Sequence, residues 1–186
     1  MHSGSKFTFR TLIFSATILL ASSVINISEA QAFKIGVSIA KLDTSTDGNT
    51  LGTGENAMTI LNLKAGTLVT GEIYVGGIYD SRTDESSGSK TERTGYGATI
   101  GYHSNGWFLD GSFLISSSIK TAGGTMIEGG SGYAIDLGRN FDVMSNIYLG
   151  LQISYKSISF TKVNGVEESN KLKSELTPML NIGVDF

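Results

Sequence analysis

The chain has 186 residues, with 14 Lys+Arg against 17 Asp+Glu, one Pro and no Cys. Without Cys there is no disulfide framework, no thiolate catalyst and no Cys-ligated zinc, and with only His2 and His103 a multi-histidine metal site is excluded too. A net charge of −3 and a pI near 5.4 argue against a general nucleic-acid binder, and no cofactor motif occurs.

Residues 1–32 read as a cleaved secretory signal peptide. Lys6 and Arg10 give the positive start, 12–25 is an apolar stretch, and Ala30-Gln31-Ala32 is an A-x-A cleavage site. The mature chain, 33–186, is expected to be one domain. It has no later apolar run long enough for a spanning helix.

That mature chain alternates with period two, the pattern of strands with two unlike faces. The first strand, about 33–42, sets Phe33, Ile35, Val37 and Ile39 against Lys34, Gly36, Ser38 and Ala40. The second, about 57–64, is apolar on both parities and has the least certain register. The third, about 70–80, sets Ile73, Val75 and Tyr79 against Glu72, Tyr74 and Asp80. The fourth, about 94–102, sets Tyr96, Ala98, Ile100 and Tyr102 against Gly97, Thr99 and Gly101.

The fifth strand, about 107–117, sets Trp107, Leu109, Phe113 and Ile115 against Asp110, Ser112 and Ser116. The sixth, about 131–138, sets Tyr133, Ile135 and Leu137 against Ala134 and Asp136. The seventh, about 146–160, sets Ile147, Leu149, Leu151, Ile153 and Tyr155 against Gly150, Gln152, Ser154 and Lys156. The eighth, about 172–186, sets Leu176, Pro178, Leu180, Ile182, Val184 and Phe186 against Glu175, Thr177, Asn181, Gly183 and Asp185. No stretch keeps a helical period.

An even number of strands places both termini at one end of an antiparallel meander. Connections at the other end read as long and polar (43–56, 81–93, 119–130 and 162–171), and those at the termini end as tight. The fold class expected is all-β: an eight-stranded antiparallel up-and-down transmembrane β-barrel. A soluble lipocalin-like barrel is the rival, but it needs a well-charged outer face. Here the second face is rich in Gly, Ser, Thr and Asn, which suits the crowded lumen of an eight-stranded barrel. The bulky apolar face then meets hydrocarbon. Aromatic residues on that face fall into two bands: Phe33, Tyr102, Trp107 and Phe186 near the termini, and Tyr79, Tyr96, Tyr133 and Tyr155 at the far end.

The terminal stretch Leu180-Asn181-Ile182-Gly183-Val184-Asp185-Phe186 resembles the closing signature of Gram-negative outer-membrane barrels. With the leader and eight strands, the chain resembles small barrels of the OmpX/OmpA-transmembrane type, in pattern rather than residue by residue. The resemblance implies the bacterial outer membrane, a setting of lipid and lipopolysaccharide, and recognition of Phe186, Val184 and Ile182 by the barrel-assembly machinery. Val184 departs from the usual aromatic at that position. It also implies a chain without the periplasmic domain of full-length OmpA-type proteins.

Candidate sites are few. The inward carboxylates and lysines, Lys34, Lys64, Glu72, Asp110, Asp136 and Lys156, are expected to pair and plug the lumen, because a lone buried charge is costly. A narrow, low-conductance pore is the alternative. Lys41, Arg82 and Arg93 are candidates for contact with lipopolysaccharide phosphate at the outer rim. His103-Ser104-Asn105 loosely resembles a stretch of lipid A deacylases, which keeps a lipid A-modifying enzyme as the least favoured alternative. Its place in a turn favours plain turn chemistry instead. The expected role is therefore non-enzymatic: structural, or interacting with a host or surface ligand through the outer loops. Pro178, which lacks an N–H, calls for a bulge or looser pairing in the eighth strand.

Overall fold

The computed structural model describes residues 32–44, 56–86 and 88–186. The expected leader lies outside them except for Ala32, whose carbonyl accepts a hydrogen bond from Leu68 N at 3.1 Å. Most of the first outer connection, 45–55, also lies outside them.

The described chain forms a closed antiparallel barrel with the strands in sequence order. The strands are β1 (Phe33–Thr44), β2 (Asn56–Leu68), β3 (Ile73–Ser86), β4 (Ser89–Ser104), β5 (Trp107–Lys120), β6 (Met126–Met144), β7 (Ile147–Val163) and β8 (Val166–Asp185). Closure runs from Lys34↔Asp185 to Ile39↔Leu180. Phe33 and Phe186 tie its end by mutual backbone hydrogen bonds of 3.1 and 2.8 Å. Because every strand is paired on both sides through this belt, the backbone polar groups are satisfied within the sheet, as hydrocarbon demands.

The strands are longer than the alternation predicts, and this corrects the outer loops. The expected loop 81–93 is mostly hairpin, with β3 and β4 paired out to Ser86↔Ser89. The connection 119–130 shrinks to 121–125, and 162–171 to the pair Asn164-Gly165. Beyond the bilayer the outer face meets water, so residues need no longer alternate while the ladder continues. Two turns carry the same signal: Asn105-Gly106 and Asn164-Gly165 each place both residues at positive φ. That is the I′ geometry matching the strand twist, and Asn-Gly is its preferred sequence.

The two faces are those predicted. Leu109, Phe113, Leu137, Leu151, Leu180 and Ile182 are exposed on the outside, while Asn62, Asp80, Asp110, Asp136, Gln152 and Lys156 are buried in the lumen. A bulge near Ile115–Ser116 in β5 breaks the parity. Above it Ser117 and Ile119 turn inward. Pro178 pairs with Ile153 of β7 but lies beyond the last β1–β8 pair, so its missing donor falls in the looser pairing expected.

Candidate functional site

The inward side chains gather into two ion clusters. In the first, Lys64 on β2 crosses the lumen to Asp110 on β5 at 2.6 Å and Asp136 on β6 at 2.7 Å. The approach to Asp136 is an ion pair without hydrogen-bond alignment, and among the described residues neither oxygen of that buried carboxylate receives a hydrogen bond. His103 Nε2 stands 2.7 Å from the second oxygen of Asp110, with its ring stacked on Tyr74 at 5.0 Å. Nearby, Lys34 pairs with Asp185 at 2.6 Å.

In the second cluster Lys156 on β7 contacts Asp80 on β3 and lies 3.6 Å from Glu175 on β8. Arg93 on β4 reaches Glu175 at 2.5 Å and Asp80 at 3.3 Å. Arg82 on β3 contacts Glu175 and pairs with Asp84 at 2.8 Å. Three cations thus face three carboxylates, so the cluster is neutral, which is what burial in a narrow lumen requires.

Lys34, Lys64, Asp110, Asp136 and Lys156 point inward, and each stands against an oppositely charged partner. Glu72 is a correction. β3 begins at Ile73, so Glu72 leaves the strand and is exposed in the β2–β3 turn. There it accepts hydrogen bonds from Ser104 Oγ at 2.8 Å and Tyr102 Oη at 2.9 Å, and these donors hold its carboxyl below the ordinary value.

Arg82 and Arg93 are the second correction. Their guanidinium groups point inward and are committed to Glu175, Asp84 and Asp80 instead of to lipid outside. The signal was available: Arg82 shares parity with Tyr74, Ile78 and Asp80, and Arg93 shares parity with Thr99. It required extending β3 and β4 past their apolar stretch. Lys41 does sit exposed on the outward face of β1.

Apolar packing closes what the ions leave. Ile78, Leu114, Ile119, Ile158 and Phe160 form one buried cluster in the lumen, and Ala40, Ile60 and Met179 another. Of these only Ala40 is among the inner-face residues that the alternation names; Ile78 and Leu114 share that parity but break its polar pattern. Inward glycines make room for rings: a Cβ on Gly36 would stand 2.8 Å from Tyr148 Oη, and one on Gly138 would overlap the Phe108 ring. Beside the first cluster, Lys34, Ser38, Lys64, His103, Asp110 and Tyr148 help line a cavity of about 20 Å³. That is room for roughly one water.

His103 and Ser104 turn to different partners, Asp110 and Glu72 respectively. The hydroxyl therefore has a carboxylate acceptor and no imidazole base beside it, and the arrangement lacks the nucleophile–base contact of acyl chemistry. Among the described residues no group of three or more His, Asp or Glu side chains is arranged to hold a metal ion.

Outside, aromatic side chains band both rims of the apolar belt. Phe33 and Phe186 lie 6.4 Å apart at the termini end, where Tyr102 and Trp107 are also exposed. At the far end Tyr79 pairs with Tyr96 across β3–β4, and Tyr133 lies 6.1 Å from Tyr155. Amphipathic rings in two bands around an apolar belt are the girdles of a membrane barrel.

No family model matches the sequence, and no curated protein sequence matches it. Among solved structures, the chain is similar to Neisserial surface protein A (NspA), at 14% identity and a TM-score of 0.59, covering 85% of this chain and 100% of that one. It also aligns with the outer membrane protein OprG of Pseudomonas aeruginosa, at 12% identity and a TM-score of 0.42, over 85% of this chain and 97% of that one. A further alignment is with outer membrane protein AlkL, at 9% identity and a TM-score of 0.39, over 100% and 93% of the two chains. The closed eight-strand ring, its apolar outside and the NspA likeness converge on one conclusion: this chain has the fold of the small outer-membrane β-barrel proteins.

Proposed function

We propose that the protein is a non-enzymatic component of the bacterial outer membrane with a structural or surface-interaction role. It works through the outer ends of its hairpins and not through its lumen. The observation that carries this reading is the neutral ion cluster of Lys156, Arg82 and Arg93 with Asp80, Glu175 and Asp84, packed with buried apolar side chains in the same lumen. A pore needs mobile water and unpaired lining charge, whereas these groups neutralise one another in pairs.

The outer hairpin ends, by contrast, hold solvated charge such as Lys90 and Glu92, both exposed and paired at 2.7 Å. Lipopolysaccharide, a host molecule or a neighbouring surface protein are the classes of partner such ends suit. Lys41, outward and exposed, is placed to meet a lipid phosphate. In this reading the leader directs export, and Phe186 with Val184 and Ile182 forms the strand end read by the assembly machinery.

Recording from planar bilayers tests the reading directly. The purified barrel is expected to give no steady conductance. Reproducible cation-selective channels from the wild-type protein overturn it and support the narrow pore.

A further inference from the structure

Arg139 is a cation on the wrong face. It lies on β6 with outward parity, exposed, between Leu137 and Phe141 on its own strand. Its cross-strand neighbours are Trp107 on β5 and Leu151 on β7. All four neighbours are exposed apolar side chains of the lipid-facing belt. An arginine at the bilayer midplane is strongly disfavoured, while near the interface the cost falls towards zero. Arg139 stands beside Trp107, the first residue of β5, which fixes it in the aromatic girdle at the termini end.

Its surroundings orient the guanidinium. The group lies 5.3 Å from the Trp107 ring centroid and 5.1 Å from that of Phe141. Both distances are within cation–π range. Two aromatic neighbours of this kind engage the group without using its N–H donors, five of them in a planar fork suited to oxyanions. The lumen lysines at this end, by contrast, are matched: Lys34 by Asp185, and Lys64 by Asp110 and Asp136. Among the described residues no carboxylate forms an ion pair with Arg139.

We propose that Arg139, with Trp107 and Phe141, is a binding site for the phosphodiester of a membrane phospholipid. The rings hold the guanidinium in the girdle plane, its N–H edge donates to the phosphate oxygens, and Leu137 and Leu151 lie against the acyl chain. A lipid supplies the anion because the site opens onto the apolar belt, where a free phosphate would have to shed its water. With the termini in the periplasm, the lipid belongs to the inner leaflet of the outer membrane. The inference rests on the membrane-barrel reading above.

Trp107 is the sole Trp, so its emission reports on this site without labelling. Folding is first confirmed in maltoside micelles by a heat-modifiable shift on gels. Dioleoylphosphatidylglycerol, dioleoylglycerol and sodium phosphate are then each titrated against Trp107 emission, for the wild type, Arg139→Gln and Arg139→Lys. A saturable response to phosphatidylglycerol alone is expected. Arg139→Gln should weaken it at least about tenfold, since a hydrogen bond to a charged group is typically worth that much, and Arg139→Lys should fall between. An equal response to dioleoylglycerol means that the chains alone bind, and saturation by sodium phosphate means a free-anion site; either overturns the proposal, as does an Arg139→Gln titration that matches the wild type. A barrel that neither folds in micelles nor inserts into vesicles overturns the membrane reading itself and is told apart at the gel step.

Discussion

Lys156 is the residue on which the plugged lumen can be tested most sharply. Its side chain is 2% exposed and contacts Asp80, itself fully buried. Lys156→Met keeps the chain length and removes the charge. Asp80 then keeps only Arg93 Nη2, at 3.3 Å, as a charged partner, and the cluster carries one uncompensated negative charge. Breaking a buried pair from one side typically costs about 3–5 kcal/mol. With a urea slope of about 2 kcal/mol per molar, the unfolding midpoint falls by roughly 2 M. Trp107 emission in lipid vesicles follows the transition, with gel mobility before and after boiling as an independent reading. Adding Asp80→Asn removes the stranded charge, so the double variant should be about 1–3 kcal/mol more stable than the sum of the two single losses predicts. A wild-type midpoint for Lys156→Met, or strictly additive substitutions, refutes a paired plug. Altered ion selectivity with unchanged stability does so as well.

Other outcomes follow from the same geometry. Leu180 faces outward on β8, 62% exposed; Arg there should cost about 2–4 kcal/mol if it lies at the midplane, and unaltered folding in vesicles would reject the outward assignment. Gly36→Ala should destabilise by about 1–2 kcal/mol through crowding, and Tyr148→Phe should rescue it, because the added Cβ meets Tyr148 Oη at 2.8 Å and otherwise only atoms at 3.5 Å or more; denaturant curves of the single and double variants decide this. Deleting Phe186 removes both backbone bonds to Phe33 as well as the proposed assembly signal, and should lower the amount of inserted barrel in membrane fractions. Glu72, held below its ordinary value of 4.5 by Ser104 and then Tyr102, keeps its hydrogen bonds above that value and loses them as pH falls through the lower folded one. The Tyr102 ring resonance should follow that titration with a midpoint below 4.5, and should be flat in Glu72→Gln.

Much of the barrel is legible in the residues themselves. Strand alternation depends on the contrast between hydrocarbon outside and crowded polar lumen inside, so Leu109, Leu137 and Leu151 announce their face wherever the wall crosses the membrane. The same contrast places Lys64, Asp110, Asp136 and Lys156 on one inner surface, and the cost of unpaired charge requires them to find partners. Above the bilayer the contrast vanishes. There β3 and β4 run on to Ser86 and Ser89, carrying Arg82 and Arg93 into the lumen, and no run of outward apolar residues marks the continuation.

Partner choice is a matter of register and barrel shear. Lys64 meets carboxylates on β5 and β6, and Arg93 meets one on β8, across a ring that no sequence interval encodes. Glu72 loses its place inside because one residue decides where β3 begins. Arg139 shows the same division. Its parity alone sets it outward, but only the pairing of β6 with β5 brings Trp107 against it, while local spacing supplies Phe141. Faces are written in alternation because a strand has two sides; neighbours across the ring exist only once the sheet closes.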